Sequence, residues 1–90
     1  MGQETINNVC ENLNEIADVL YKGAVKSGIA AMGLVLPDLT AIINDIQDEA
    51  IKKRLLEDAL TPALQAMEES DGTMLADIIT YELLEILHII

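Results

Sequence analysis

The chain has little of what enzymes and nucleic-acid-binding proteins commonly use. Its 90 residues include no Phe or Trp, one Cys and one His. The single cysteine, Cys10, excludes an internal disulfide framework. Five basic residues stand against sixteen acidic ones, which gives a net charge of −11. A general nucleic-acid binder needs clustered Lys and Arg against phosphate, so the composition argues against that class of function.

The sequence also lacks an obvious membrane or export segment. The longest run without a charged residue is Ser27–Pro37, well short of the roughly 18 apolar residues that a membrane span requires. Glu4, Glu11 and Glu15 lie where a secretory signal would carry a basic and then an apolar stretch. We therefore expect a cytoplasmic protein that does not enter a membrane.

What the chain does have is aliphatic side chains, since 51% of its residues are hydrophobic. That content excludes a disordered acidic tail, because disorder needs low hydrophobicity beside high charge. The length predicts a single domain over residues 1–90, near the small end of the usual range. Domains of this size often gain stability by self-association.

The first helix is predicted over about Thr5 to Lys26. Apolar residues recur there at helical spacing and place one stripe against a core. The members of this stripe are Ile6, Val9, Cys10, Leu13, Ile16, Ala17, Leu20, Tyr21, Ala24 and Val25.

The next segment allows two interpretations. Ser27-Gly28 is the best place for a turn, and the run Ile29–Leu36 is apolar on every face and should be buried. A separate helix would then begin at Pro37, which fits a first helical turn because it lacks an N–H. Alternatively, one helix extends from Ser27 to Ile46 with a kink at Pro37.

Two further helices complete the predicted fold. The third extends from about Asp48 to Glu69, where Pro62 should kink it or split it after Leu60. Ser70-Asp71-Gly72 is the clearest break, and Thr73 is expected to cap a last helix that reaches the C-terminus. The pattern predicts an all-α antiparallel bundle of four helices, or of five if a proline divides one of them.

The last helix carries the main candidates for a functional surface. Asp77, Tyr81 and Glu85 share one face, and Tyr is enriched at interface hot spots. Glu82 interrupts the apolar stripe, while other aliphatic residues widen it beyond one face. The predicted partner-binding residues are Asp77, Tyr81, Glu82, Leu84, Glu85, Leu87 and Ile89.

Catalytic and metal-binding interpretations are weaker. Glu85 and His88 form the Glu-x-x-His pair found in di-iron bundles, but such a site needs two of these pairs and further Glu residues. Cys10 lies on the inner stripe of the first helix, far in sequence from the only His, so we expect a buried hydrophobe. We therefore predict no catalytic set, no metal site and no cofactor.

Residues 68–83 resemble a motif of small uncharacterised acidic helical proteins from anaerobic Gram-positive bacteria. The resemblance rests on Glu68-Glu69-Ser70-Asp71, then Leu75-Ala76-Asp77 and Tyr81-Glu82-Leu83. The chain departs from that pattern at Gly72, where an apolar or aromatic residue is usual, and at Glu85, where Pro is frequent. The resemblance implies no known activity, but it singles out Asp77, Tyr81 and Glu82 for a shared structural or binding role. In size and charge alone the chain is also similar to cytoplasmic chaperones of bacterial export systems.

The leading expectation is therefore a non-catalytic interaction module, an adaptor or chaperone-like bundle that binds a protein partner. The first alternative is a self-assembling structural protein, in the simplest form a homodimer. The second, from another class, is a small enzyme that binds a metal or substrate with its carboxylates.

Overall fold

The computed structural model describes residues 3–90, which form four helices joined by short turns. Helix α1 is Gln3–Tyr21 and helix α2 is Val25–Asp45. Helix α3 covers residues 49–68 and helix α4 covers residues 72–88. The described chain contains no strand. The predicted all-α bundle is confirmed, with four helices.

Helices α3 and α4 each contain one π-helical turn between two α-helical parts. The parts of α3 are Glu49–Arg54, the π turn Leu55–Leu60 and Thr61–Glu68. The parts of α4 are Gly72–Ile78, the π turn Ile79–Leu83 and Leu84–His88. A π turn closes its hydrogen bonds over five residues, so it holds one more residue than an α-helical turn and rotates everything after it.

Helix α1 ends earlier than its pattern predicts. Its stripe from Ile6 to Leu20 is buried, but Tyr21 and Ala24 are exposed. Gly23 ends the helix with φ +92°, a left-handed conformation that only glycine adopts without strain. The N–H groups of Gly23 and Ala24 donate to Leu20 and Val19, as in a Schellman motif.

The turn expected at Ser27-Gly28 is therefore wrong, and α2 is one helix that continues through Pro37. Gly28 is buried inside that helix, where a Cβ atom would lie 2.6 Å from Cγ of Leu20. Glycine is needed at this position because α1 and α2 approach each other closely. The expected burial of Ile29–Leu36 on every face is also wrong, since Leu34 is 82% exposed.

Pro62 neither splits α3 nor ends it. The π turn ahead of it is closed by the N–H of Thr61, which donates to the carbonyl of Leu56. Pro62 directly follows this π turn, in the first turn of the next α-helical part. Upstream, the Asp48 side chain caps α3 by accepting from the N–H groups of Ala50 and Ile51.

The predicted break before the last helix is confirmed, but its details differ. Ser70 holds the left-handed position with φ +54°, where glycine would be expected. Asp71 caps α4 by accepting from the N–H of Met74 at 3.0 Å, so Thr73 is not the cap. Gly72 is buried, and a Cβ there would lie 2.7 Å from Cγ2 of Val25.

The core of the described residues is aliphatic apart from Met32 and Cys10, and no polar side chain is buried in it. Helix α1 packs between α2 and α4, and α3 covers the far side of α4. Helix α3 contributes mainly alanines, whose small side chains allow a close approach to α4. These are Ala59, Ala63 and Ala66.

Candidate functional site

The structure divides the predicted partner-binding residues into two groups. Asp77, Tyr81, Glu85 and Ile89 are exposed, and Glu82 is partly exposed. Leu84 and Leu87, by contrast, are buried in the core with 5% and 1% of their surface exposed. These two leucines stabilise the bundle and are not available to a partner.

The π turn of α4 explains why Leu84 was misplaced. At α-helical spacing from Leu75 and Ile79, Leu84 falls on the outer face of the helix. The extra residue in the turn Ile79–Leu83 rotates the following residues by about 100°, one helical position. Leu84 thereby turns toward the core, and Ile89 turns outward to 62% exposure.

A short hydrogen bond joins the side chains of Tyr21 and Asp77. The Tyr21 hydroxyl donates to Oδ1 of Asp77 at 2.6 Å, joining the end of α1 to the first part of α4. The pKa of the Tyr21 phenol is raised, chiefly because its proton is held by the Asp77 carboxylate. A polar interaction with the Thr80 side chain acts in the opposite direction.

Tyr81 lies on the same surface. Its phenol is near enough that its ionisation would further raise the pKa of Tyr21. Tyr21 is 50% exposed and Tyr81 is 62% exposed, and these two side chains are the only aromatic ones in the chain. We call the region formed by Tyr21, Asp77, Thr80 and Tyr81 the tyrosine surface.

No protein-family model, curated protein or solved structure matches the chain. Function must therefore be argued from the site itself, and the motif resemblance of residues 68–83 stays a prediction.

The two π turns pack against each other beside the tyrosine surface. Leu55 and Ala59 from α3 and Ile79 and Leu83 from α4 are the buried residues of these turns. Above them, Nη2 of Arg54 lies 4.0 Å from Oε2 of Glu82. Because both side chains are well exposed, this ion pair contributes little to stability.

A π turn often occurs at a functional position in a helix. In α4 the π turn helps to form the tyrosine surface directly, because two residues of that surface, Thr80 and Tyr81, belong to the turn. Sequence reasoning found Asp77 and Tyr81 from their helical spacing. It missed Tyr21, which it placed on the inner stripe of the first helix. Only the end of α1 at Gly23 would have indicated that Tyr21 is exposed.

Cys10 and His88, which are distant in sequence, line one open recess of about 340 Å³ together with Glu11. Among residues 3–90 there is no group of three or more His, Cys, Asp or Glu side chains that could hold a metal ion. His88 is exposed near the end of α4. Cys10 is buried, and burial raises the pKa of its thiol, which disfavours the reactive thiolate.

Helix α2 is long and apolar enough to cross a membrane by length and composition alone. Its most apolar stretch has a mean hydropathy of 1.4, yet only 33% of that stretch is buried in the bundle. Core helices of soluble proteins and signal sequences pass the same test, so the composition does not decide the environment. The small buried share nevertheless leaves much of this helix uncovered.

Proposed function

We propose that the protein is a non-catalytic interaction module that binds a protein partner through the tyrosine surface. The observation that carries this proposal is the placement of both tyrosines on one exposed surface by the packing of α1 against α4. An aromatic side chain left in water gives up the stabilisation that burial would supply. Tyr is enriched at hot spots, where its flat ring supplies apolar contact and its hydroxyl a hydrogen bond.

The chemistry of the surface favours a basic partner segment. The carboxylate of Asp77 is exposed beside the Tyr21 ring, Glu85 is exposed further along α4, and the chain carries a net charge of −11. An Arg or Lys side chain can lie over a tyrosine ring and reach a carboxylate at the same time. The overall negative charge would also speed the approach of such a partner at low salt.

The hydrogen bond between Tyr21 and Asp77 gives the surface a fixed shape before a partner arrives. It holds one ring in place and orients one carboxylate, so less side-chain freedom is lost on binding. Rigid aromatic groups with few rotatable bonds make effective anchors for this reason.

The test is affinity capture from cells that express the protein, with wild-type bait beside Tyr81→Ser bait. We expect a reproducible partner that wild type retains and that Tyr81→Ser loses. Leu64→Ser is the matched control, because Leu64 is a similarly exposed apolar residue on α3. A control bait that loses the partner equally, or a partner whose capture does not depend on Tyr81, would refute the proposal.

The captured partner then allows a second measurement on purified components. Binding through carboxylates and rings should weaken as salt rises, because the ionic part of the interaction is screened. Asp77→Asn should weaken it further by removing a charge and releasing Tyr21. An affinity that is unchanged in high salt and in Asp77→Asn would contradict a basic partner segment.

A further inference from the structure

The side of α2 that faces away from the bundle has few charges and is uncovered. We call it the outer face of α2, formed by Lys26, Ser27, Ala30, Leu34, Pro37 and Asp38, all of them exposed. Its only charges are Lys26 at one end and Asp38 at the other, and neither takes part in an ion pair within the described residues. The four residues between them carry no charge.

Leu34 projects from the middle of this face and is the most exposed large hydrophobic residue of the described chain. Beside it, α1 and α2 form an open groove of about 350 Å³. Val19, Ala31, Leu34 and Val35 line part of this groove with apolar groups, and Asn12, Glu15 and Asp38 line other parts of it with polar ones. The face therefore has an apolar projection beside a recess with mixed apolar and acidic lining.

We propose that the outer face of α2 binds the same face of a second copy, with the two α2 helices antiparallel about a twofold axis level with residue 32. In such an antiparallel pair, residue i of one copy lies opposite residue j of the other copy. The sum of the two residue numbers is the same for every opposite pair. When the twofold axis is level with residue 32, Leu34 comes level with Ala30 of the second copy, so a large side chain meets a small one. Pro37 comes level with Ser27 in the same way.

The same arrangement makes the charges complementary. Lys26 and Asp38 lie six residues to either side of residue 32, about 9 Å along the helix axis at 1.5 Å per residue. Antiparallel pairing therefore brings Lys26 of each copy level with Asp38 of the other. A parallel pair would bring like charges level and leave Leu34 against Leu34.

A second copy fits this face better than a lipid surface does. Binding to anionic lipid is driven by clustered bases, whereas this face has one base and one acid and the chain has a net charge of −11. The charges of the outer face of α2 complement those of the same face on a second copy. The tyrosine surface is a separate region, so this inference does not depend on the proposed partner.

The test is sedimentation velocity of the full chain from micromolar to submillimolar concentration. We expect a reversible dimer for wild type. Leu34→Lys should raise the dimer dissociation constant by roughly a hundredfold or more, because it buries an uncompensated charge. Ala30→Glu should act in the same direction. Leu64→Lys, an exposed leucine on α3, is the control that should leave the dimer intact.

Charge exchange tests the antiparallel arrangement. Lys26→Asp and Asp38→Lys should each raise the dissociation constant by about tenfold, since each brings like charges level. The double exchange Lys26→Asp/Asp38→Lys should restore wild-type affinity, and circular dichroism should show unchanged helicity in every variant. A double exchange that fails to restore affinity rules out the antiparallel pairing.

Two outcomes would overturn the inference directly. One is a wild-type chain that stays monomeric at every concentration. The other is a monomer that binds vesicles of neutral phosphatidylcholine and loses this binding in Leu34→Lys, which would assign the face to lipid.

Discussion

The phenol of Tyr21 and the carboxylate of Asp77 lie 56 residues apart in the sequence and meet at 2.6 Å. The hydrogen bond joins the last turn of α1 to α4 at the edge of the core, without burying either group. It also positions one of the two rings of the tyrosine surface, so it serves both the fold and the proposed binding surface.

The raised pKa of Tyr21 gives a first prediction. In a Tyr81→Phe background the only tyrosinate signal in the ultraviolet comes from Tyr21. Adding Asp77→Asn should lower the pKa of Tyr21 toward its ordinary value of about 10. Because the folded-state pKa lies above the unfolded one, the stability from this group is complete below about pH 10 and is lost as pH rises through the folded pKa. Identical titration curves with and without Asp77→Asn would contradict the hydrogen bond.

Two glycines of α2 should respond in opposite ways to alanine. Gly28→Ala should lower the free energy of unfolding by about 1–3 kcal/mol, because the new Cβ would overlap the buried Leu20 side chain. Gly33→Ala should raise it by about 0.4–1 kcal/mol, since nothing lies within 4 Å and the unfolded chain loses freedom. Urea unfolding at low protein concentration measures both. Equal effects would show that the close approach of α1 and α2 is wrong.

Glycine should be more stable than serine at position 70, where the backbone is left-handed. Ser70→Gly should raise the free energy of unfolding by about 0.5–1 kcal/mol, because φ +54° strains a residue with a Cβ. Ser27→Gly is the control, an exposed serine inside α2, and it should lower stability by about 0.5–1 kcal/mol. Thermal unfolding measures both, and a loss of stability in Ser70→Gly would contradict the turn geometry.

Two leucines of α2 separate its inner face from its outer face. Leu39→Ala should cost about 2–5 kcal/mol, because Leu39 is fully buried. Leu34→Ala should change the stability of the monomer by no more than about 0.5 kcal/mol. The measurement is urea unfolding at a concentration where the chain is monomeric. A large loss in Leu34→Ala under those conditions would place Leu34 in the core instead.

The thiol of Cys10 reports opening of the bundle. Burial raises its pKa and shields it, so a disulfide reagent at pH 8 should label native protein at least a hundredfold more slowly than urea-unfolded protein. Because the folded-state pKa is the higher one, the contribution of this group to stability falls as pH rises above about 8.5. Labelling at the unfolded rate under native conditions would mean that the other helices do not cover Cys10 on α1.

Sequence reasoning recovered the helices where a single α-helical period holds. The stripe Ile6–Leu20 of α1 was predicted residue by residue, because it has no irregular turn. The turn between α1 and α2 was misplaced, since a glycine needed for a left-handed turn and one needed for close packing look alike. The positive φ of Gly23 and the approach of Leu20 to Gly28 distinguish them, and both are features of the folded structure.

The candidate site was recovered in part for the same reason. Asp77 and Tyr81 precede or lie within the π turn of α4, and their exposure agrees with the α-helical pattern. Leu84 follows the π turn. Its burial could not be predicted from the sequence, because the helical period changes from α to π at Ile79. Tyr21 reaches the site only through tertiary packing, which no local pattern contains.

A π turn is equivalent to one residue inserted into an α-helix, and the two such turns in this protein lie against each other. Deleting Thr80 would remove the extra residue and restore an uninterrupted α-helix. The residues after the deletion would then rotate by one helical position, to the orientation that α-helical spacing predicts. Leu84 would then face water and Ile89 the core. The length of this segment, more than the identity of its residues, therefore decides which side chains the end of the protein presents.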